Sequence, residues 1–174
     1  VATDKARVYV DSAPIIDLVK FKVGVNLDPE RERDAWHLDR MLQAARDGKV
    51  VVFTSSLSIA ECVHVEDQKK LEQAKPFFLG LLASGRSGFA LVQPTLSMME
   101  KARDLRWING VSLKGADAVH AAAALQFRCG ECWTRDGRFV QGASVFNTLG
   151  LRICTPSETT LLPDEYRQED LGIR

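Results

Sequence analysis

Residues 7–16 read Arg7-Val-Tyr-Val10-Asp11-Ser-Ala-Pro-Ile-Ile16, a short apolar run that ends on an acid and passes at once into a helical pattern. Val8 to Val10 has the β-branched and aromatic content of a strand. Ala13 to Val19 follows as a helix, with Pro14 in its first turn, where a missing N–H costs nothing. The same hand-over recurs downstream. Val50-Val-Val-Phe53 is a continuous apolar run suited to a strand covered on both faces, and Leu57 to Val65 restarts a helix. Phe89-Ala-Leu-Val92 is a third strand, followed by a helix over Thr95 to Ile108. An alanine-rich helix from Ala116 to Phe127 leads to strands at Glu131–Thr134 and Leu151–Cys154. Between these lie an amphipathic helical arm from Pro29 to Asp47, ended by Gly48, and a helical stretch from Gln68 to Ala83, broken or kinked at Pro76. Such alternation predicts the α/β class: a central, mainly parallel sheet of four to five strands flanked by helices.

The bulk numbers agree with one domain. A chain of 174 residues, 45% hydrophobic, is long enough for one sizeable core and short for two. We expect the folded domain to occupy residues 1–156 and a polar tail residues 157–174. The stretch 83–88 is read as an exposed loop within the domain. Lys plus Arg and Asp plus Glu balance at 23 each, so no global basic field attracts nucleic acid, although local clusters of either sign remain open. No apolar run approaches the roughly 20 residues that span a bilayer, and no signal core opens the chain, so a soluble cytoplasmic protein is expected. Cys129 and Cys132 form a Cys-x-x-Cys pair, but Cys62 and Cys154 stand alone, without the second close pair a zinc ribbon needs. Thiols packed as small apolar side chains are the preferred reading.

Four acids stand where strands end or helices begin: Asp11, Glu61 in Thr54-Ser-Ser-Leu-Ser-Ile-Ala-Glu61, Asp117 in Gly115-Ala-Asp117-Ala-Val-His120, and Asp136 in Trp133-Thr-Arg-Asp136. Each has an ordinary structural explanation. Asp11 can cap the first helix, and Glu61 stands at capping-box spacing from Ser58. Asp117 suits a first helical turn, and Asp136-Gly137 is a turn pair. Jointly they fall on one edge of the expected sheet. Two carboxylates about 5 Å apart repel by roughly 3 kcal/mol at an effective dielectric of about 20, so such a cluster calls for a compensating cation, for which a hard divalent ion is suited, or for shifted protonation.

Tyr9-Val-Asp11-Ser-Ala-Pro-Ile-Ile16, the Thr54–Glu61 stretch, Gly115-Ala-Asp117-Ala-Val-His120-Ala-Ala-Ala-Ala-Leu125 and Thr134-Arg-Asp136-Gly-Arg-Phe139 together resemble the successive motifs of PIN-domain nucleases, from about Arg7 to Thr155. The resemblance implies a PIN-like three-layer sandwich and a Mg2+- or Mn2+-dependent endoribonuclease, frequently the toxin of a type II toxin–antitoxin pair of the VapC-like kind. It makes Asp11, Glu61, Asp117 and Asp136 the catalytic and metal-binding acids, with Ser12 and Thr134 as hydroxyl supports. Ala13 departs from the pattern, since many members carry Asn or Ser there. The partners implied are an RNA substrate and an antitoxin protein, with a homodimer as a further option and no membrane.

Lys114, Arg135 and Arg138 flank the acids and are candidates for phosphate contact; solvated surface charge is the plain alternative. His120 follows Asp117 by three residues and shares its helix face, where packing is the ordinary role, and Asp17 reads as a surface or supporting acid rather than a ligand. Trp107 and Phe139 can stack on bases, whereas Trp133, in an apolar strand, reads as core. The helices at 29–47 and 68–83 offer surfaces to an antitoxin segment or a second copy. The alternative function is a catalytically weak PIN-like module that binds protein or RNA. A phosphatase or receiver-like use of Asp11 as nucleophile is a further reading, and Ala13 removes the Asp-x-Asp pair it would need.

Overall fold

The computed structural model describes residues 5–83 and 85–168. Five strands, β1 (Arg7–Val10), β2 (Val51–Ser55), β3 (Phe89–Val92), β4 (Glu131–Trp133) and β5 (Arg152–Cys154), form one sheet in the order β3-β2-β1-β4-β5. Every pairing is parallel, with Tyr9 in register with Phe53 on one side and Cys132 on the other. The expected "mainly parallel" sheet is therefore wholly parallel. Strand order reverses at β1, and in such sheets ligands sit in the crevice beyond the carboxyl ends of the strands at that reversal.

Side-chain alternation along the strands explains the two cores. Val8, Val10, Val52 and Trp133 face one side, where they meet Ile15 and Leu18 of α1 (Ser12–Lys22), Leu38 and Met41 of α2 (Pro29–Arg46), and Phe78 of α4 (Gln68–Leu82). Tyr9 and Cys132 face the other side. There they meet Met98 and Leu105 of α5 (Leu96–Trp107), the alanine run of α6 (Gly115–Gln126), Phe139 of α7 (Gly137–Gln141) and Phe146 of α8 (Ala143–Thr148). A short α3 (Leu57–Glu61) follows β2. The result is helices, sheet, helices, as a sheet buried on both faces requires.

Several local expectations need adjustment. The arm at 29–47 does not project: its apolar stripe, Leu38, Met41 and Leu42, is fully buried against the sheet and α1, so it offers no free apolar face. Its end is as read, with Gly48 at φ +72° just beyond the last turn. Helix α4 is assigned without interruption through Pro76, which lies on its exposed side. The helix after β2 closes at Glu61 rather than Val65. Helices α7 and α8 occupy residues 137–148, where the sequence suggests only the turn at Asp136-Gly137.

Beyond β5, residues 156–168 dock rather than trail. Thr159 and Leu162 are buried, and the Thr159 and Thr160 hydroxyls and the Thr160 N–H donate to the Glu131 carboxylate. The remainder of the tail lies outside the described residues. All four cysteines are free and buried, as expected of packed thiols, and burial pushes Cys62, Cys129 and Cys154 up to about 12. Among the described residues no helix is long and apolar enough to cross a membrane.

Candidate metal centre

Backbone geometry delivers Asp11 to the crevice. Its N–H donates to the Trp133 carbonyl at 3.0 Å, the last bond of the β1–β4 ladder, and its carboxylate then caps α1 by accepting from the Ser12 N–H at 2.8 Å. The other carboxylate oxygen accepts from the Thr134 hydroxyl at 2.8 Å, from the residue after β4. The expected capping role of Asp11 is real, and it fixes the carboxylate rather than consuming it. One neighbouring strand end therefore aims the acid of the other.

Glu61 does not serve the capping box that its spacing from Ser58 suggested. It ends α3 instead of starting it, and Ser58 is bonded to Thr54 at 2.9 Å. Its carboxylate is held by the Ser12 hydroxyl and by His120 Nε2, the latter at 2.9 Å. His120 is wholly buried, and its Nδ1 lies 2.7 Å from the Tyr9 hydroxyl. Since a carboxylate only accepts, Nε2 carries a proton, and in the neutral ring Nδ1 then accepts from Tyr9. His120, read chiefly as packing, is a positioning residue for Glu61. Its three-residue offset from Asp117 was the available signal.

Asp117, in the first turn of α6, and Asp136, the cap of α7, complete the set. Asp11, Glu61, Asp117 and Asp136 line a single open cleft of about 380 Å³, with Ser12 and Arg135 at its wall. The Arg138 guanidinium bridges the last two acids, 2.7 Å from Asp117 and 2.6 Å from Asp136. Burial pushes the Asp117 carboxyl above its ordinary value, against the opposing pull of Arg138, and the charges of Asp136 and Asp11 add to the rise. The hydrogen bond from Arg138 holds the Asp136 carboxyl low.

The basic residues are disposed unequally. Arg135 reaches the cleft but is tied to the buried Asp34, at 2.7 and 2.6 Å. Arg138 is occupied by the two acids. Lys114 stands at the N-terminal boundary of α6, makes no capping bond through its side chain, and lines a neighbouring groove rather than the cleft. Asp17 is buried, not superficial, and pairs with Arg31, whose Nε lies 2.9 Å away. Trp133 is core, and its indole N–H donates to Glu131 at 2.9 Å. Phe139 is buried as well, which removes it as a base-stacking surface.

The donor set suits a hard divalent cation. Ligand atoms of Asp11, Glu61 and His120 lie within 4.8 Å of one another, and with both ring nitrogens of His120 committed to Glu61 and Tyr9 the carboxylate oxygens are the available ligands. That Asp117 and Asp136 share a guanidinium shows independently that this acid pair draws positive charge.

Comparison with known proteins places this geometry. The sequence pattern of the family described as "PIN domain" matches residues 8–144. The chain belongs to the PIN-domain family. Among solved structures this PIN domain is similar to FitAcB from Neisseria gonorrhoeae, at 17% identity and a TM-score of 0.50, covering 87% of this chain and 99% of that one. It is also similar to FitAB bound to an IR36 DNA fragment, at 18% identity and a TM-score of 0.51, covering 87% and 96%. At such identities the likeness is one of fold. No curated protein sequence matches the chain significantly.

Proposed function

We propose that this PIN domain is a divalent-metal-dependent endoribonuclease that hydrolyses RNA phosphodiester bonds with Mg2+ or Mn2+, and that it acts as the toxin of a type II toxin–antitoxin pair. The observation that carries this reading is the convergence of Asp11, Glu61, Asp117 and Asp136 on one open cleft at the strand-order reversal. A bound divalent ion would supply Lewis acidity and an activated water for attack on phosphorus. The chain's own residues do the rest. Asp11 and Glu61 would hold the ion, with Thr134, Ser12 and His120 fixing their oxygens. Asp117 and Asp136 would complete the coordination or orient water, and Arg138, sharing those two acids, stands where it can turn to a scissile phosphate.

An antitoxin segment would find a place between α3 and α4. There Ile59, Val63 and Leu79 are exposed beside a largely apolar groove of about 330 Å³, the size and chemistry that an amphipathic helix fills. Four buried free thiols suit a reducing compartment and support a cytoplasmic setting. One feature favours the weaker alternative of a binding module: Arg138 already neutralises part of the acid cluster.

The test is cleavage of a mixed RNA pool by the purified chain with Mn2+ or Mg2+, with EDTA, and with Asp117→Asn. Metal-dependent cleavage lost in the variant supports the ribonuclease. A folded protein that cleaves under no metal supports the binding module. Co-expression with the adjacent open reading frame, followed by size-exclusion chromatography, tests the antitoxin; two chains that never comigrate would sink it.

A further inference from the structure

Asp34 stands where α2 is otherwise apolar. It shares the buried stripe of that helix with Ala35, Leu38, Met41 and Leu42, and it is 1% exposed. Both of its carboxylate oxygens are engaged. Oδ2 accepts from Arg135 Nε at 2.7 Å and lies 2.6 Å from Nη2, while Oδ1 accepts from the Ser157 N–H at 2.9 Å. That N–H belongs to the 3₁₀ turn Pro156–Glu158, which is itself held fast: Thr155 and Glu158 close a capping box, and Thr159 and Thr160 bond to the buried Glu131. A buried ion pair holds elements together no better than apolar side chains of similar volume, so cohesion alone is a poor account of an acid in this stripe.

What the pair does fix is the direction of Arg135. That residue lies between Thr134, which bonds to Asp11, and Asp136, and its side chain lines the acid cleft. With Nε and Nη2 turned to Asp34, its Nη1 meets, among the described residues, only the exposed Glu30, 4.0 Å away. Arg138, by contrast, is bound to Asp117 and Asp136 themselves and must release them to reach anything else. Arg135 is held by an acid outside the proposed ligand set, so it can contact an anion in the cleft without disturbing those ligands.

We propose that Asp34 is a positioning residue of the cleft: with the Ser157 N–H behind it, it holds Arg135 ready to contact a phosphate oxygen of the RNA beside the acids; this rests on the ribonuclease reading above. A guanidinium already fixed by a carboxylate has less rotamer freedom left to lose when it binds an anion. The docked turn at 156–158 thereby supports the substrate site from outside the cleft, through one backbone N–H.

Binding of a labelled, mixed-sequence RNA of about 12 nucleotides is measured by fluorescence anisotropy in EDTA, which stops metal-dependent hydrolysis, alongside thermal melts and steady-state cleavage in Mn2+. Arg135→Ala would strand a buried charge, so the variants are Asp34→Asn, Arg135→Lys, these two combined, and Asp34→Asn with Arg135→Gln. Asp34→Asn and Arg135→Lys should each weaken binding by about five- to ten-fold, the loss in cleavage falling on KM with kcat kept within about three-fold. For Asp34→Asn the sign is the diagnostic. Removing a negative charge should by itself strengthen the binding of a polyanion, so weaker binding reports lost positioning. Adding Asp34→Asn to Arg135→Lys should weaken binding no further, because Asp34 acts through the guanidinium. Asp34→Asn with Arg135→Gln should flatten the slope of log affinity against log salt by about 0.7, as one lost phosphate contact does. A folded Asp34→Asn that binds RNA as tightly as wild type, or more tightly, would overturn the proposal. So would an unchanged salt slope in the Gln double variant, or an equal further loss when Asp34→Asn is added to Arg135→Lys. The two readings fail separately. A wild-type chain that cleaves under no metal but shows these binding losses overturns only the nuclease; one that cleaves while Asp34→Asn binds and cleaves as wild type overturns only the positioning role.

Discussion

The imidazole Nε2 of His120 lies 2.9 Å from a carboxylate oxygen of Glu61, deep enough that the ring has no solvent exposure. The Tyr9 hydroxyl, 2.7 Å from Nδ1, fixes the ring from behind, so a residue of the central strand sets the direction of an acid four elements further along the chain. Tyr9→Phe keeps the ring and removes that bond. It should cost about 1 kcal/mol of stability by urea denaturation, and lower metal-dependent cleavage by roughly ten-fold, as loss of an outer-shell partner does. Cleavage at the wild-type rate would show that Glu61 needs no such support.

Arg138 and a divalent ion are expected to compete for Asp117 and Asp136, because both neutralise the same carboxylates. Arg138→Ala should therefore tighten Mn2+ binding, by about three- to ten-fold in calorimetry, while slowing RNA cleavage. Unchanged Mn2+ affinity would mean that the ion sits beyond the reach of these two acids.

Glu131 gives the fold a sensitivity to acid. Burial raises its carboxyl, but donors from Thr159, Thr160 and Trp133 outweigh that and hold it below its ordinary 4.5. Its contribution is present above about pH 4.5 and disappears as pH falls through the lower folded-state value. Glu131→Gln should destabilise the chain at pH 7 by about 1–3 kcal/mol and flatten the fall in melting temperature below that pH. Thermal melts across pH check both.

Asp117 has the opposite sign. Its carboxyl is raised by burial, so the folded state resists its ionisation: the penalty is absent below the ordinary 3.8 and fully present once pH exceeds the folded-state value. Asp117→Asn should accordingly raise the melting temperature of the metal-free chain at neutral pH, although it removes a partner of Arg138. Added Mn2+ should stabilise the wild type more than the variant.

The strands were legible because parallel strands buried on both faces leave continuous apolar runs, as at Val51–Phe53, and because Gly48 supplies the left-handed residue that ends α2. Helices α7 and α8 were not, since five and six residues are too few to display a period; each has a single buried anchor, Phe139 and Phe146. The positions of the acids could be read because Asp11, Glu61 and Asp136 follow strand ends, whose spatial order the parallel sheet dictates, and Asp117 opens a helix. The contacts that hold them could not. The Thr134–Asp11, His120–Glu61 and Arg135–Asp34 contacts join residues 59 to 123 positions apart. Lys114 shows the converse: three residues from Asp117 in sequence, it lies on the other side of a helix start and lines a different hollow.

The central claim, that four acids from separate elements act as one metal-dependent centre for RNA hydrolysis, is met most directly by single-turnover cleavage of the RNA pool with Mn2+, comparing wild type with Asp11→Asn, Glu61→Gln, Asp117→Asn and Asp136→Asn, each confirmed folded. Each variant is expected to lose at least about 100-fold in rate, equivalent to ~2.7 kcal/mol of barrier. Wild-type rates in Asp11→Asn and Glu61→Gln, or cleavage that persists undiminished in EDTA, would contradict it.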